Sequence, residues 1–280
     1  MLNNTLTGLP LKELQSICSE FKIPSYGTKK VVAERIQKML LYETFTFSKF
    51  NSEIKIKDYR FDYIFEKIKM EKDFYEHELL DEIKSVITEN SIVIDVGGHV
   101  GNHSIYLLKV CNFDMSYLFE PRKPLIRLIR ENMSLNDLED KFVINKGGIE
   151  AISSTSGQLK FEKRKNYNLG TGRIVNEPGG ANVSTLDLIF ADMDKKVSVI
   201  KIDVEGLEKE VLQGALTVID KHRPVISIES LIKSEDQADH DKAKQSLNDL
   251  IGLDKYKLHF SYGALPGPYT YIFVPKVVNP

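Results

Sequence analysis

The sequence predicts an α/β fold: a doubly wound, mostly parallel sheet with an antiparallel edge strand, preceded by a small two-helix module. Three observations carry this. Short apolar, β-branched runs, among them Ile92-Val-Ile94 and Val197-Ser-Val-Ile-Lys-Ile202, recur between helix-like stretches, as parallel strands and their crossover helices do. The first run leads into a glycine turn, Asp95-Val-Gly-Gly-His-Val-Gly101, and then into Asn102-His-Ser-Ile-Tyr-Leu-Leu108, which opens like a helix. Strand, glycine turn and helix bring backbone close to a nucleotide-like ligand at the edge of a sheet. Residues 256–262 and 269–274, rich in Tyr and Phe, supply a closing pair of strands.

Composition sets the outer limits. A chain of 280 residues holds one large α/β domain and something small. With 28% charged residues it reads as an ordinary globular protein. No apolar run approaches the roughly 18 residues of a membrane span. The first residues, Met-Leu-Asn-Asn-Thr-Leu-Thr, show no basic segment leading into an apolar core, so a cytoplasmic protein without membrane contact is expected. Cys18 and Cys111 lie far apart in apolar surroundings, which predicts buried free thiols in a reducing compartment. Charge is uneven. Residues 1–42 carry six Lys/Arg against three Glu, and the remainder 32 basic against 37 acidic residues, so the N-terminal piece is the basic one.

In chain order, residues 9–21 predict a helix started near Pro10, with Leu11, Leu14, Cys18 and Phe21 on one face. A turn at 23–27 leads to a second helix over 28–41, with Thr28 as N-cap. Residues 43–75 form a connecting segment in which Glu53-Ile-Lys-Ile-Lys alternates like an exposed strand, and 71–87 read as one amphipathic helix. The main domain spans 76–280. After the glycine turn, Met115-Ser-Tyr-Leu-Phe-Glu120 is a second strand whose terminal carboxylate can accept both hydroxyls of a ribose. A helix over 124–136 and a third strand over 141–145 follow, then Gly147 and Gly148. Residues 153–183 interrupt the alternation with a hairpin bearing Lys163, Arg164 and Arg173, suited to an anionic or aromatic partner or simply to solvent. A helix begins near 184, the fourth strand ends at Asp203, and the fifth ends at Glu229.

The glycine spacing is not the dinucleotide pattern, because position 99 is His and position 102 is Asn. Asp95-x-Gly97-x-x-x-Gly101 instead resembles motif I of class I S-adenosylmethionine (SAM) methyltransferases, Rossmann-like enzymes whose motif carboxylate faces the amino acid end of the cofactor. The resemblance implies a cofactor site built from Asp95, Gly97, Gly98, Gly101, Asn102, Glu120, Gly147 and Gly148, with S-adenosyl-L-homocysteine as product. A wider set of blocks resembles the FkbM family of these enzymes: Phe74-Tyr-Glu76, residues 93–103, Phe119-Glu-Pro121, Asn132-Met-Ser-Leu-Asn136, Ser184-Thr-Leu-Asp187, Lys201-Ile-Asp-Val-Glu-Gly-Leu-Glu208, and Arg223-Pro through Glu229. Gly98-His99 departs from the Ala-Asn more common in that family. FkbM proteins usually methylate hydroxyls on sugars, polyketides or other metabolites, which the resemblance implies here. Residues 6–41, with Leu-x-x-Leu, Gly27-Thr-Lys-Lys30 and Glu34-Arg-Ile36, resemble a SAP domain. That likeness implies DNA or RNA contact through Lys29, Lys30 and Arg35; a hairpin used for packing or protein contact is the alternative.

Methyl transfer to a hydroxyl requires the acceptor to be held in line, water to be excluded and a base to take the proton. Ligands of α/β sheets sit at strand carboxyl ends. Asp203 is therefore expected to act as base or to orient the acceptor, with Glu205 and Glu229 in support. Glu205 also fits a cap for the following helix. Asp203 and Glu229 could alternatively offer oxygen ligands to a divalent metal. The loop Asp203-Val-Glu-Gly206 disfavours base N-methylation and cytosine C5-methylation. A saccharide or metabolite hydroxyl, an RNA ribose 2′-hydroxyl, and a catalytically silent nucleic-acid adaptor stay open, as do metal requirement and oligomeric state.

Overall fold

The computed structural model describes residues 9–20, 24–39, 42–60, 62–163, 172–230, 235–252, 254–263 and 268–276. The chain divides into two units, one built from Met1–Tyr75 with Lys163–Gly172 and one from Glu76–Glu162 with Arg173–Pro280. No helix among the described residues is long and apolar enough to cross a membrane.

In the first unit, α1 (Leu11–Glu20) and α2 (Lys29–Met39) form a helical hairpin. Its small core is Leu14, Cys18, Val32, Ala33 and Ile36. Thr28 Oγ1 accepts the Val31 N–H at 3.4 Å, as expected of an N-cap. Strands β1 (Tyr42–Lys49) and β2 (Ser52–Tyr59) pair antiparallel, with Phe45 opposite Ile56, so the alternating segment gains a partner that its sequence did not reveal. Helix α3 (Tyr63–Glu71) follows, capped by Asp62, whose Oδ1 accepts the N–H groups of Ile64 and Phe65.

The single helix expected over 71–87 is not formed. Lys72 (φ +53°) and Glu76 (φ +57°) are left-handed, which separates α3 from α4 (His77–Val86). The buried stripe Leu79, Leu80 and Ile83 lies wholly in α4, so burial rewards helix only from there on.

The second unit holds the large sheet. Its elements are β3 (Ile92–Val96), α5 (Asn102–Ile105, continued by a π turn over Tyr106–Val110), β4 (Met115–Phe119), α6 (Lys123–Leu135) and β5 (Phe142–Ile144). After β6 to β9 come α7 (Leu186–Ile189), β10 (Val197–Ile202), α8 (Glu208–Gln213), α9 (Leu216–His222), β11 (Val225–Ser230), α10 (Gln237–Ile251), β12 (Tyr256–Gly263) and β13 (Tyr269–Pro275). The order across the sheet is β12-β13-β11-β10-β3-β4-β5. Strands β11, β10, β3, β4 and β5 run parallel, whereas β13 runs antiparallel to both β11 and β12. The antiparallel strand thus lies one place in from the edge. All five residues of β3 and all six of β10 are buried, which explains their near-continuous apolar sequence. Their core partners include Leu212, Ala215 and Ile219 from the following helices. One helix after Asp203 becomes two because the chain turns at Gly214, where a Cβ would stand 2.2 Å from the Ser153 carbonyl.

The interrupting hairpin is part of a separate sheet. Strands β6 (Ala151–Ile152), β7 (Gly157–Lys163), β8 (Gly172–Pro178) and β9 (Ala181–Ser184) lie in the order β6-β9-β7-β8. This sheet has its own apolar cluster of Ala151, Ile174, Ala181, Val183 and Leu207, with Leu159, Phe161 and Val204 against it. Through Val204 and Leu207 it rests on the loop that follows Asp203. Cys18 and Cys111 are buried and unpaired, as expected.

Candidate active site

Four parallel strands, β4, β3, β10 and β11, end side by side and bring the acidic residues of the sequence to one sheet edge. The turn after β3 is stitched to both neighbours. Gly97 and Gly98 donate their N–H groups to the Phe119 carbonyl at 3.0 and 3.2 Å, and the Asp203 N–H reaches the Val96 carbonyl at 3.0 Å. Gly97 has φ +89°, and a Cβ there would stand 1.8 Å from the Asp203 carbonyl oxygen. Only glycine permits this approach of turn and loop.

On the cofactor side, Asp95 is buried and accepts the Ser104 hydroxyl at 2.7 Å. Asn102, also buried, opens α5 just beyond Gly101. Glu120 is buried at the end of β4. Its Oε1 accepts the Arg122 backbone N–H at 2.9 Å and Nε at 2.7 Å. Its Oε2 accepts Nη2 of Arg122 at 2.9 Å and the His99 N–H at 3.2 Å. An ionised carboxylate offers about four acceptor positions, so a ribose diol would compete with the Arg122 side chain for two of them. Asn145 brackets the Glu120 backbone, accepting its N–H and donating to its carbonyl, both at 3.0 Å. Gly147 and Gly148 follow with φ +67° and +79° and open space where a Cβ would lie. Acceptor carboxylates beside a glycine turn, with an open glycine pair at the next strand end, suit the hydroxyls and flat ring of a nucleoside. Glu120, Gly147 and Gly148 would hold it, with Asp95 on the side of the turn.

The reaction side centres on Asp203 and Glu229, which share a hydrogen bond. Burial alone would raise the Asp203 carboxyl, but Lys201, Glu229 and His103 hold it below the ordinary range. In Glu229, burial and the Asp203 charge act together and push the carboxyl far up. The two carboxyls are thus pushed apart across one shared hydrogen bond, Asp203 downward and Glu229 upward. Glu205 lies two residues on, in left-handed backbone at φ +58°. The Gly206 N–H beside it is accepted by Glu208 at 2.7 Å. Burial pushes the Glu208 carboxyl up to about 7. His103 places its Nε2 3.3 Å from a Glu76 carboxylate oxygen.

Sequence reasoning missed Lys201, Arg122 and Asn145. Lys201 had a signal: it is the one charged residue in the otherwise apolar strand Val197-Ser-Val-Ile-Lys-Ile202, and a lysine there is buried only with partners. Arg122 and Asn145 had none, since each meets Glu120 only through a turn.

The expected substrate residues are scattered. Arg164 and the side chains of Lys163 and Arg173 lie outside the described residues. Nearby, Lys160 pairs with Glu177 at 2.8 Å and Phe161 packs into the small apolar cluster. In the first unit Lys29 and Lys30 are exposed. Arg35 is committed to its own turn, donating to the carbonyls of Pro24 and Tyr26 and lying 4.9 Å from the Tyr26 ring centroid.

A parallel sheet with one reversed strand next to its edge, a glycine turn after its central strand and an acid ending the next strand define a class I SAM-dependent methyltransferase. The model of the methyltransferase FkbM domain matches residues 95–252, and the chain belongs to that family. The hexuronic acid methyltransferase AglP of Haloferax volcanii is 29% identical over 141 residues, 49% of this chain and 55% of that protein. The chain thus matches about half the length of this curated relative. Among solved structures, the methyltransferase FkbM from Methylobacillus flagellatus KT is 16% identical, covering 71% of this chain and 49% of its own, with a TM-score of 0.46. A ribosomal protein L11 methylase from Lactobacillus delbrueckii subsp. bulgaricus is 13% identical, covering 72% and 78%, with a TM-score of 0.41.

Proposed function

We propose that the protein O-methylates a hydroxyl of a saccharide or related metabolite, with Asp203 as the base. The observation that carries this is the hydrogen-bonded carboxyl pair at the ends of β10 and β11, in which the surroundings hold Asp203 low and push Glu229 up. SAM, when bound, supplies an electrophilic methyl on sulfur and leaves as S-adenosyl-L-homocysteine. The residues do the rest. Asp203 takes the proton of the acceptor hydroxyl as its oxygen becomes bonded to the methyl carbon. Glu229 donates to Asp203, which orients the carboxylate and keeps the pair at one negative charge before the reaction. The sheet β6-β9-β7-β8 stiffens the loop at 204–207 and so holds Asp203 in register with the acceptor. The sugar-acid substrate named for the haloarchaeal relative supports a saccharide acceptor.

The test is methyl transfer from isotope-labelled SAM into fractionated cell extract, with Asp203→Ala as control. Label is expected in saccharides or small molecules. Asp203→Ala is expected to abolish transfer while SAM affinity stays within about threefold, because the groups that would hold the nucleoside lie on other strands. Turnover retained in that variant removes Asp203 from the reaction. A second reading, methylation of an RNA ribose 2′-hydroxyl, is favoured by exposed Lys29 and Lys30 beside Tyr26, which is 74% exposed. Label in RNA that disappears on deleting residues 1–42 would select it.

A further inference from the structure

Lys201 is the group at this sheet edge that the proposed reaction does not use. It stands in the middle of the large sheet, in register with Asp95 on β3 and Ser227 on β11. Its side chain is only 9% exposed. Taking an ammonium out of water is costly unless its donors are met, and an ammonium has three. One donor meets the Gly97 carbonyl at 2.7 Å, and the charge is paired with Asp95 Oδ1 and Asp203 Oδ2, each at 3.4 Å.

These three partners belong to different parts of the site. Gly97 is the residue of the glycine turn that touches the Asp203 backbone. Asp95 is the motif carboxylate on the cofactor side, and Asp203 is the carboxylate on the acceptor side. Because Lys201 and Asp203 are two residues apart on the same chain, their side chains leave on the same face. A rigid strand therefore sets the ammonium midway between the two acids.

We infer that Lys201 is a positioning residue that ties the cofactor turn to the acceptor base, fixing Asp95, Gly97 and Asp203 through one buried ammonium. The inference rests on the reading of Asp203 as base. Without the ammonium, the buried Asp95 and the partly exposed Asp203 face each other with no cation between them, and the turn carbonyl loses its donor. The other groups acting on Lys201 or Asp203 include the acids Glu76, Glu208 and Glu229, the imidazoles of His99 and His103, and the Arg122 guanidinium, which is itself paired with Glu120. Burial works against the ammonium, yet the surrounding acids hold it protonated above the ordinary lysine range.

The experiment compares full-length wild type with Lys201→Met by two readouts. One is the carboxyl carbon resonance of Asp203, labelled with carbon-13, assigned through Asp203→Asn and followed against pH. The other is calorimetric titration with SAM alone. In folded Lys201→Met the Asp203 midpoint is expected to move up. SAM affinity is expected to fall at least about tenfold, the scale of one lost charge-assisted bond. A purely structural lysine would lower stability and leave SAM affinity unmoved, so unchanged SAM binding in the folded variant overturns the inference, as does an Asp203 midpoint that does not move. If Lys201→Met does not fold, the wild type decides: the Lys201 ammonium must give a slowly exchanging nitrogen-15 signal, and fast exchange with water overturns the claim. Asp203→Asn separates the two readings. Turnover retained there defeats Asp203 as base, whereas an unmoved titration in Lys201→Met defeats the role of Lys201 while Asp203→Asn stays inactive.

Discussion

Arg122 grips Glu120 with two parallel bonds, Nε to Oε1 at 2.7 Å and Nη2 to Oε2 at 2.9 Å. The guanidinium thus holds the carboxylate on which a nucleoside ribose would be expected to rest. It also keeps that carboxylate paired in a buried place, where an isolated charge is costly.

Arg122→Met separates these two effects. The backbone N–H groups of Arg122 and His99 still reach Glu120, so one acceptor position on each oxygen becomes free, as a vicinal diol requires. SAM is expected to bind about tenfold tighter. Stability is expected to fall by about 3–5 kcal/mol, because a buried charge loses its partner. Calorimetry and urea denaturation measure the two. Weaker SAM binding would mean that the guanidinium is a support for the ribose site and not a competitor.

The Asp203–Glu229 pair makes stability depend on pH. Burial and then Asp203 raise the Glu229 carboxyl above its ordinary value of 4.5, so the folded protein keeps a proton that the unfolded chain has released. From about that value upward the folded state binds more protons, and stability falls as pH rises. Glu229→Gln keeps a donor to Asp203 and has no proton to lose. Its stability relative to wild type should therefore climb steadily between about pH 5 and 8, as read by denaturation midpoints. A constant difference would show that Glu229 is ionised in the folded protein.

Two glycines should respond very differently to alanine. At Gly97 the new Cβ would collide with the Asp203 carbonyl in left-handed backbone, so Gly97→Ala is expected to cost at least about 3 kcal/mol. At Gly148 the backbone is also left-handed, but nothing lies within 4 Å. Gly148→Ala should cost only about 1 kcal/mol. Thermal unfolding of the two variants checks the contrast, and equal losses would contradict it.

Much of the large sheet is legible in the chain because burial writes itself into sequence. Strands β3 and β10 are covered on both faces, and their residues are accordingly apolar almost throughout. The glycine turn is legible because positive φ and close backbone approach leave a residue type behind. Helices α3 and α4 read as less distinct because the break between them falls on Lys72 and Glu76, residue types that do not announce a left-handed turn. The pairing of β1 with β2, of β6 with β9, and of β9 with the hairpin strand β7 was hidden because an exposed or short strand shows no pattern of its partner.

The sequence by itself determined the parallel sheet, the glycine turn at Gly97 to Gly101 and the carboxylates that end the strands. These are properties of one residue and its immediate neighbours. The tertiary structure alone decided that Glu120 is held by Arg122, that Asp203 and Glu229 share a hydrogen bond, and that Lys201 stands between Asp95 and Asp203. Those relationships arise where different strand ends or a strand and its turn converge. Their strength depends on burial and on distances of 2.7 to 3.4 Å. Charge in low-dielectric surroundings is governed by what stands across the gap, and only the folded sheet brings the two sides together.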